Sequence, residues 1–201
     1  MGCDIRMYAE VLRHGRWSLA EPPERNPAFD PEHPQEEPEW KPTEVFRDRN
    51  YALFAVLADV CNPTCSAEPF ESIAPPRGLP SDVSEPLRLW HAQNDGDTWL
   101  ESWLLLKEIL GFDWLGKTIT RQAKVDARVA HLFPPGQKGF PYSQWPVGIG
   151  AAYSEGGTGV QVTWEETYAE AVGPSLFEKL IPRLNSFGSP EKVRVVFWFS
   201  Y

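Results

Sequence analysis

Cysteine and methionine are scarce in this chain of 201 residues, with 3 Cys and 2 Met. An odd trio of thiols cannot staple a chain of this size, which excludes a secreted disulfide scaffold and fits a reducing compartment. Long apolar runs are missing too: no stretch approaches the roughly 18 residues that a bilayer-spanning helix needs. Nor is there a charged segment followed by an apolar one at the start, the pattern of a secretory leader. The expectation is a cytoplasmic protein without a membrane partner. The opening Met1-Gly2-Cys3 looks like an acylation signal, but Arg6 stands where that pattern wants Ser or Thr. Positive charge is the third shortage, because 19 Lys and Arg face 28 Asp and Glu for a formal net charge of -9. Such a molecule repels phosphate backbones as a whole, so duplex nucleic acid is excluded as a partner.

Aromatic residues, by contrast, are plentiful. Nine Trp and 42% hydrophobic residues supply a core and exclude wholesale disorder. The length suits one domain over residues 1–201. Proline is concentrated in residues 21–42, where seven of the 20 prolines lie beside seven acids and two bases, a local balance of -5. Dense proline blocks helices and sheet ladders, so this segment reads as an acidic surface excursion.

Residues 5–11 alternate in polarity, and His14-Gly15 then precedes Arg16-Trp17-Ser18-Leu19, which predicts a β-hairpin. Residues 192–201 (KVRVVFWFSY) read as a strand covered on both faces, and residues 159–168 (GVQVTWEETY) as a third strand. All three are expected in one mixed or antiparallel sheet. A helix is predicted over 48–60 from Phe54, Leu57 and Ala58. A second is predicted from Thr98, paired with Glu101 at capping-box spacing, to Gly111, burying Trp99, Trp103, Leu106 and Leu110. A third, over 174–187, is interrupted by Pro182. The Pro/Gly-rich stretches 61–86 and 133–159 read as loops, packed on the sheet by Tyr142, Trp145 and Tyr153. The fold class is therefore α+β, with both terminal strands in one sheet, two or three packed helices and long loops.

Two motifs offer chemistry. Gly111-Phe112-Asp113-Trp114-Leu115-Gly116-Lys117-Thr118 matches GxxxxGK[ST] letter for letter, yet it follows a predicted helix instead of a strand and carries bulky residues where phosphate must approach. Cys61 and Cys65 stand at C-x3-C spacing and Cys3 offers a third thiolate, but His14, His33, His91 and His131 are scattered. Neither a nucleotide-hydrolysing loop nor a zinc site is expected, and no cofactor follows.

A more suggestive set is polar residues beside structured segments: Asp4, Arg49, Asn50, Tyr51, Arg77, Asp82, Ser84 and Ser102. These types cap helices, close turns and form ion pairs, and they also line ligand pockets. The segments MGCDIRMYAE, RNYALFAVLADV, IAPPRGLPSDVS, ESWLLLKE, VTWEETYAE and VRVVFWFSY resemble, in order, blocks of an uncharacterised family of bacteriophage and prophage proteins. Members of that family typically open MGCDIH and end in a VR-V-FWF strand. The resemblance implies a phage-related accessory protein and brings no activity with it. This chain departs from the family pattern at Arg6, where a His is frequent, at Trp99-Leu100, near a frequent His-Ser pair, and at Ser200-Tyr201, in place of Asp-Asn.

The leading expectation is a protein that acts by binding, a counter-defence factor that sequesters a nucleotide-like signal or blocks a host protein in the host cytoplasm. Trp would stack on the ligand, and Arg49, Arg77 and Arg88 would meet phosphate. The alternative is a metal-assisted hydrolase in which Asp4 and Asp82 converge on one ion. A third option is protein blocking through the acidic segment. Oligomeric state is left open.

Overall fold

Alternation of apolar and polar residues, followed by a two-residue turn, produces the hairpin with which the described chain begins. In the computed structural model, which describes residues 3–33, 37–62, 66–93, 98–150 and 159–200, β1 (Asp4–Arg13) pairs antiparallel with β2 (Arg16–Leu19). His14 and Gly15 take φ of 50° and 78°, the positive values that match a tight hairpin to the twist of its strands. The chain divides into two compact units, one made of Met1–Arg49, Ile73–Phe112 and Ser175–Tyr201, the other of Asn50–Ser72 and Asp113–Pro174.

The first unit is built on one antiparallel sheet. Its strand order is β2-β1-β9-β6, with β6 at Thr98–Leu105 and β9 at Val193–Ser200. β3 (Glu24–Arg25) and β4 (Trp40–Lys41) form a separate small ladder, and β5 (Glu44–Phe46) pairs with β1 beyond the end of β2. All eight residues of β9 are buried because the strand lies between β1 and β6. The fold is thus α+β, and the two terminal strands share a sheet. One face of that sheet packs Tyr8, Val196 and Trp198 against Leu87 and Trp90 of α2 (Glu85–Gln93). The Trp90 indole N–H donates to the Tyr8 hydroxyl at 2.8 Å, and burial pushes that phenol's pKa up.

Three expectations need correction here. Residues 98–111 are not one helix: β6 runs to Leu105, and only Leu106–Gly111 is helical (α3). The spacing of Trp99, Trp103 and Leu106 mimics a helix because β6 is interrupted between Trp99 and Ser102, where Leu100 takes φ of 52°. Leu110, the last residue of the supposed apolar stripe, is 41% exposed. The real cap belongs to α3, where the Glu108 carboxylate accepts from the Leu105 N–H at 2.8 Å. α2 starts at the end of the stretch 61–86 read as a loop and continues through Gln93, where no helix was expected. Its signal was Ser84 followed by Glu85 and Pro86, the helix-start combination of a cap residue, an acid and an early proline.

The third correction concerns residues 159–168. β8 (Val160–Thr167) is not in the main sheet but pairs in the second unit with β7 (Thr118–Val125). β7 is mostly polar, TITRQAKV, so its sequence announces no strand; only Ile119, Ala123 and Val125 are buried. This hairpin holds Val162 and Trp164 against Phe133, Phe140 and Trp145. Trp145 anchors its loop on this separate hairpin, not on a sheet shared with the terminal strands as expected; Tyr142 is 77% exposed, and Tyr153 lies outside the described residues. In the same unit α1 (Tyr51–Ala58) is capped by Asn50, whose Oδ1 accepts from the Leu53 N–H at 3.0 Å. α4 (Tyr168–Val172) begins with a capping box formed by Thr167 and Glu170.

Residues 174–187 form a π-helical turn, Leu176–Leu180, running into α5 (Ile181–Asn185) in the first unit. Pro182 sits in the first turn of α5, where its missing N–H costs least. Arg183 reaches from α5 to the Glu21 carboxylate and to the carbonyls of Glu44 and Val45. In the segment 21–42, of which residues 21–33 and 37–42 are described, Asn26 is buried and donates to the Glu37 carboxylate and the Pro38 carbonyl.

Candidate functional site

Position 194 is the one charged residue in a buried strand that is apolar apart from Ser200, so burial must be compensated by a partner. Register supplies it. Glu10 of β1 lies opposite Arg194 of β9, and the two side chains are 0% and 2% exposed. Arg194 Nε donates to Glu10 Oε2 at 2.8 Å, and the other Glu10 oxygen accepts from the Ser84 N–H at 2.7 Å. The outer edge of the guanidinium donates to the Asp82 carboxylate at 2.7 Å and to the Asp82 carbonyl at 3.2 Å. That hydrogen bond from Arg194 holds the Asp82 carboxyl below its ordinary value, and the charge of Arg194 and a bond from Trp17 act in the same direction. The network fixes the loop preceding α2 to the middle of the sheet.

Aromatic rings continue the construction. The Arg194 guanidinium carbon lies 4.0 Å from the ring centroid of Trp17 on β2 and 5.8 Å from that of Trp103 on β6. Arg77 lies 4.8 Å from the other indole, Trp103, so guanidinium and indole planes alternate across the surface. Arg77 is held in turn by a two-pronged bond to Glu108, at 2.6 and 3.0 Å. This contact keeps the Glu108 carboxyl low and the guanidinium firmly protonated. Together Trp17, Arg77, Asp82, Trp103, Glu191 and Arg194 bound a cleft of about 570 Å³. A second cleft of about 490 Å³ shares Trp17 and is bounded by Arg13, Glu21, Ser84 and Glu85. Volumes of this size accommodate small organic ligands.

The residues singled out from sequence fall into three places. Arg77 and Asp82 line the first cleft, Ser84 lines the second, and Ser102 is buried behind them with its hydroxyl accepting from the Arg77 N–H at 3.2 Å. Asp4 and Arg49 form a two-pronged pair at 2.7 Å, in which Arg49 lowers the Asp4 carboxyl. Asn50 and Tyr51 belong to the second unit: Asn50 caps α1 and donates to the Val172 carbonyl at 2.5 Å, and the half-buried Tyr51 ring packs edge-on to Phe54. Arg88, also suggested for phosphate, is exposed and paired with Glu85.

Convergence of Asp4 and Asp82 on one ion is corrected by this geometry. Asp82 is tied to the Glu10 end of β1, and Asp4 lies six residues away along that strand, roughly 20 Å at about 3.3 Å per residue. Among the described residues no group of three or more His, Cys, Asp or Glu side chains is placed to hold a metal ion. Cys3 is buried in the first unit, Cys61 is half-buried in the second, and Cys65 lies outside the described residues. The Walker-like segment runs from the end of α3 into β7, the reverse of strand, loop, helix, and Lys117 is paired with Glu71 at 2.6 Å.

Sequence reasoning missed Trp17, Trp103, Glu10 and Arg194. A usable signal existed for the ion pair: one arginine in an apolar strand and one glutamate in the alternating strand at the other end of the chain, each needing a buried counter-charge. The fold and cleft define an α+β protein with a tryptophan- and arginine-lined cleft on one sheet face. No family model, curated protein or solved structure matches the chain.

Proposed function

We propose that this protein acts by binding a small, planar, nucleotide-like molecule in the cleft beside Trp17 and Trp103. The alternation of Trp17, Arg194, Trp103 and Arg77 carries the reading. Indole faces favour stacking with a base-like ring, and the guanidinium groups are locked by carboxylates, which makes the surface rigid before the ligand arrives. The resemblance of the sequence blocks to phage proteins supports placing such binding in counter-defence, where a host signal would be sequestered.

The test is a melting-temperature screen of the full chain against cyclic oligonucleotides and NAD-derived nucleotides. A bound ligand raises the transition by mass action, and a sequestered one comes back chemically intact after heat release. Trp103→Ala is expected to weaken the shift at least tenfold in ligand concentration. Recovery of a cleaved ligand would refute sequestration. Absence of any shift, with stable co-purification of a host protein, would turn the reading to protein blocking.

A further inference from the structure

Arginine charge is answered by a carboxylate almost everywhere in this acidic chain. Of its twelve arginines, ten make ion pairs, from Arg6 with Glu44 to Arg194 with Glu10 and Asp82. Arg13 and Arg16 pair with no carboxylate among the described residues. These two are not scattered. They face each other as register partners on β1 and β2 at the exposed tip of the first hairpin. Like charges directly opposite on a ladder repel, so the arrangement costs stability that any of the chain's surplus acids would have relieved.

Arg13 also bounds the second cleft together with Trp17. The Arg194 guanidinium covers the Trp17 ring from the first cleft, whereas the second cleft reaches Trp17 without Arg194 among its walls. Ser84 lines the same cleft. It is 7% exposed, its N–H is committed to Glu10, and its hydroxyl has no hydrogen-bond partner. That hydroxyl stands immediately before the nine-residue helix α2, whose N-terminal dipole favours an anion. The acids on the rim, Glu21 and Glu85, are neutralised by Arg183 and Arg88.

We infer that the cleft on the Arg13 side of Trp17 receives the phosphate of a nucleotide whose ring stacks on Trp17, with Arg13, a wall of that cleft, as its direct counter-charge, Arg16 beside it on the ladder adding positive potential, and the Ser84 hydroxyl as a further hydrogen-bond donor. This rests on the proposed binding of a planar ring beside Trp17 and adds the part of the ligand that carries charge. The Arg13 guanidinium offers the paired N–H donors that a phosphate dianion accepts best, and Arg16 opposite it on the ladder raises the local positive charge. They also resolve the apparent conflict between a net charge of -9 and an anionic ligand, because attraction is confined to one short-range spot while the rest of the surface repels polyanions.

The experiment is calorimetric titration of the full chain with the common ribonucleosides, their 5′-monophosphates and inorganic phosphate, in low and high salt. At least one monophosphate is expected to bind about tenfold or more tighter than its nucleoside, with inorganic phosphate alone far weaker, and the advantage should shrink as salt rises. Arg13→Ala/Arg16→Ala is expected to bring the monophosphate and nucleoside affinities together while leaving the nucleoside affinity unchanged. Both residues are exposed at a hairpin tip, and a melting temperature equal to or above the parent's, as relief of their repulsion predicts, confirms that the variant is folded. Equal affinity of monophosphate and nucleoside in the parent protein would overturn the inference, as would an advantage that survives in the double variant. Either result leaves ring binding intact, whereas that reading is judged separately by the response of the nucleotide screen to Trp103→Ala. Failure of every monophosphate to bind also overturns the inference.

Discussion

Replacing Arg194 by Met tests the centre of the architecture. The substitution keeps an unbranched apolar stem in β9 and removes the guanidinium, leaving the Glu10 carboxylate, 0% exposed, with only the Ser84 N–H as donor. Breaking a buried, hydrogen-bonded pair from one side costs about 3–5 kcal/mol. A chain of this size loses about 2–4 °C of melting temperature per kcal/mol, so the expected fall is about 6–20 °C, read by circular dichroism. The companion variant Glu10→Leu/Arg194→Met removes both charges and is expected to recover part of the loss, with a coupling between the two sites of about 2 kcal/mol or more. It will not recover everything, because the Ser84 N–H loses its acceptor. A fall of less than about 3 °C for the single variant, or additivity within about 0.5 kcal/mol, would refute the view that this pair holds the loop before α2 on the sheet.

Acid should weaken the fold through carboxylates held low by arginine. Asp82 and Glu108 have folded values below their ordinary 3.8 and 4.5, so their contribution is complete above those values and is lost as pH falls through the depressed ones. Melting temperature is therefore expected to decline on acidification below about pH 4, and less steeply in Asp82→Asn, as measured by thermal scans across that range. Replacing residues 24–41 by a short Gly/Ser linker keeps the Glu21–Arg183 pair; the β3–β4 ladder and the Asn26 bonds that go lie wholly within the segment, and the Arg47–Glu24 pair lost with them is on the surface, so the melting temperature should drop by less than about 5 °C. Lys117→Ala removes one exposed pair with Glu71 and should lower stability by less than about 1 kcal/mol, with [γ-³²P]ATP retention on filters equally absent before and after the change.

Both ends of the main sheet were legible because their signals are local: alternation over β1, a two-residue turn containing Gly15, and an uninterrupted β-branched and aromatic run in β9. β6 was misread because an irregularity between Trp99 and Ser102 shifts the apolar spacing from two toward the three and four of a helix. β7 escaped because an amphipathic edge with three buried residues looks polar until its partner is known. The cleft was half legible. Arg77 and Asp82 were picked for their turn-rich surroundings, but Trp17, Trp103 and Arg194 come together only through pairing of strands distant in sequence. Asp4 and Arg49, chosen by the same reasoning, found each other instead.

The strand order β2-β1-β9-β6 places the latest strand of the described chain in the middle of its sheet, and its buried pair joins residues 184 positions apart. A nascent chain emerging from the ribosome therefore presents β1, β2 and β6 long before the strand that separates and completes them exists. Until then two apolar ladders stand open, each able to pair wrongly with the other or with a neighbouring chain. Such distant pairing also pays its loop-closure entropy before any contact repays it, which makes folding slow. Yield in a cell should thus depend on how long the translating chain is shielded, with slower elongation near the end of β9 lengthening the hazard and a chaperone that covers exposed strand edges shortening it.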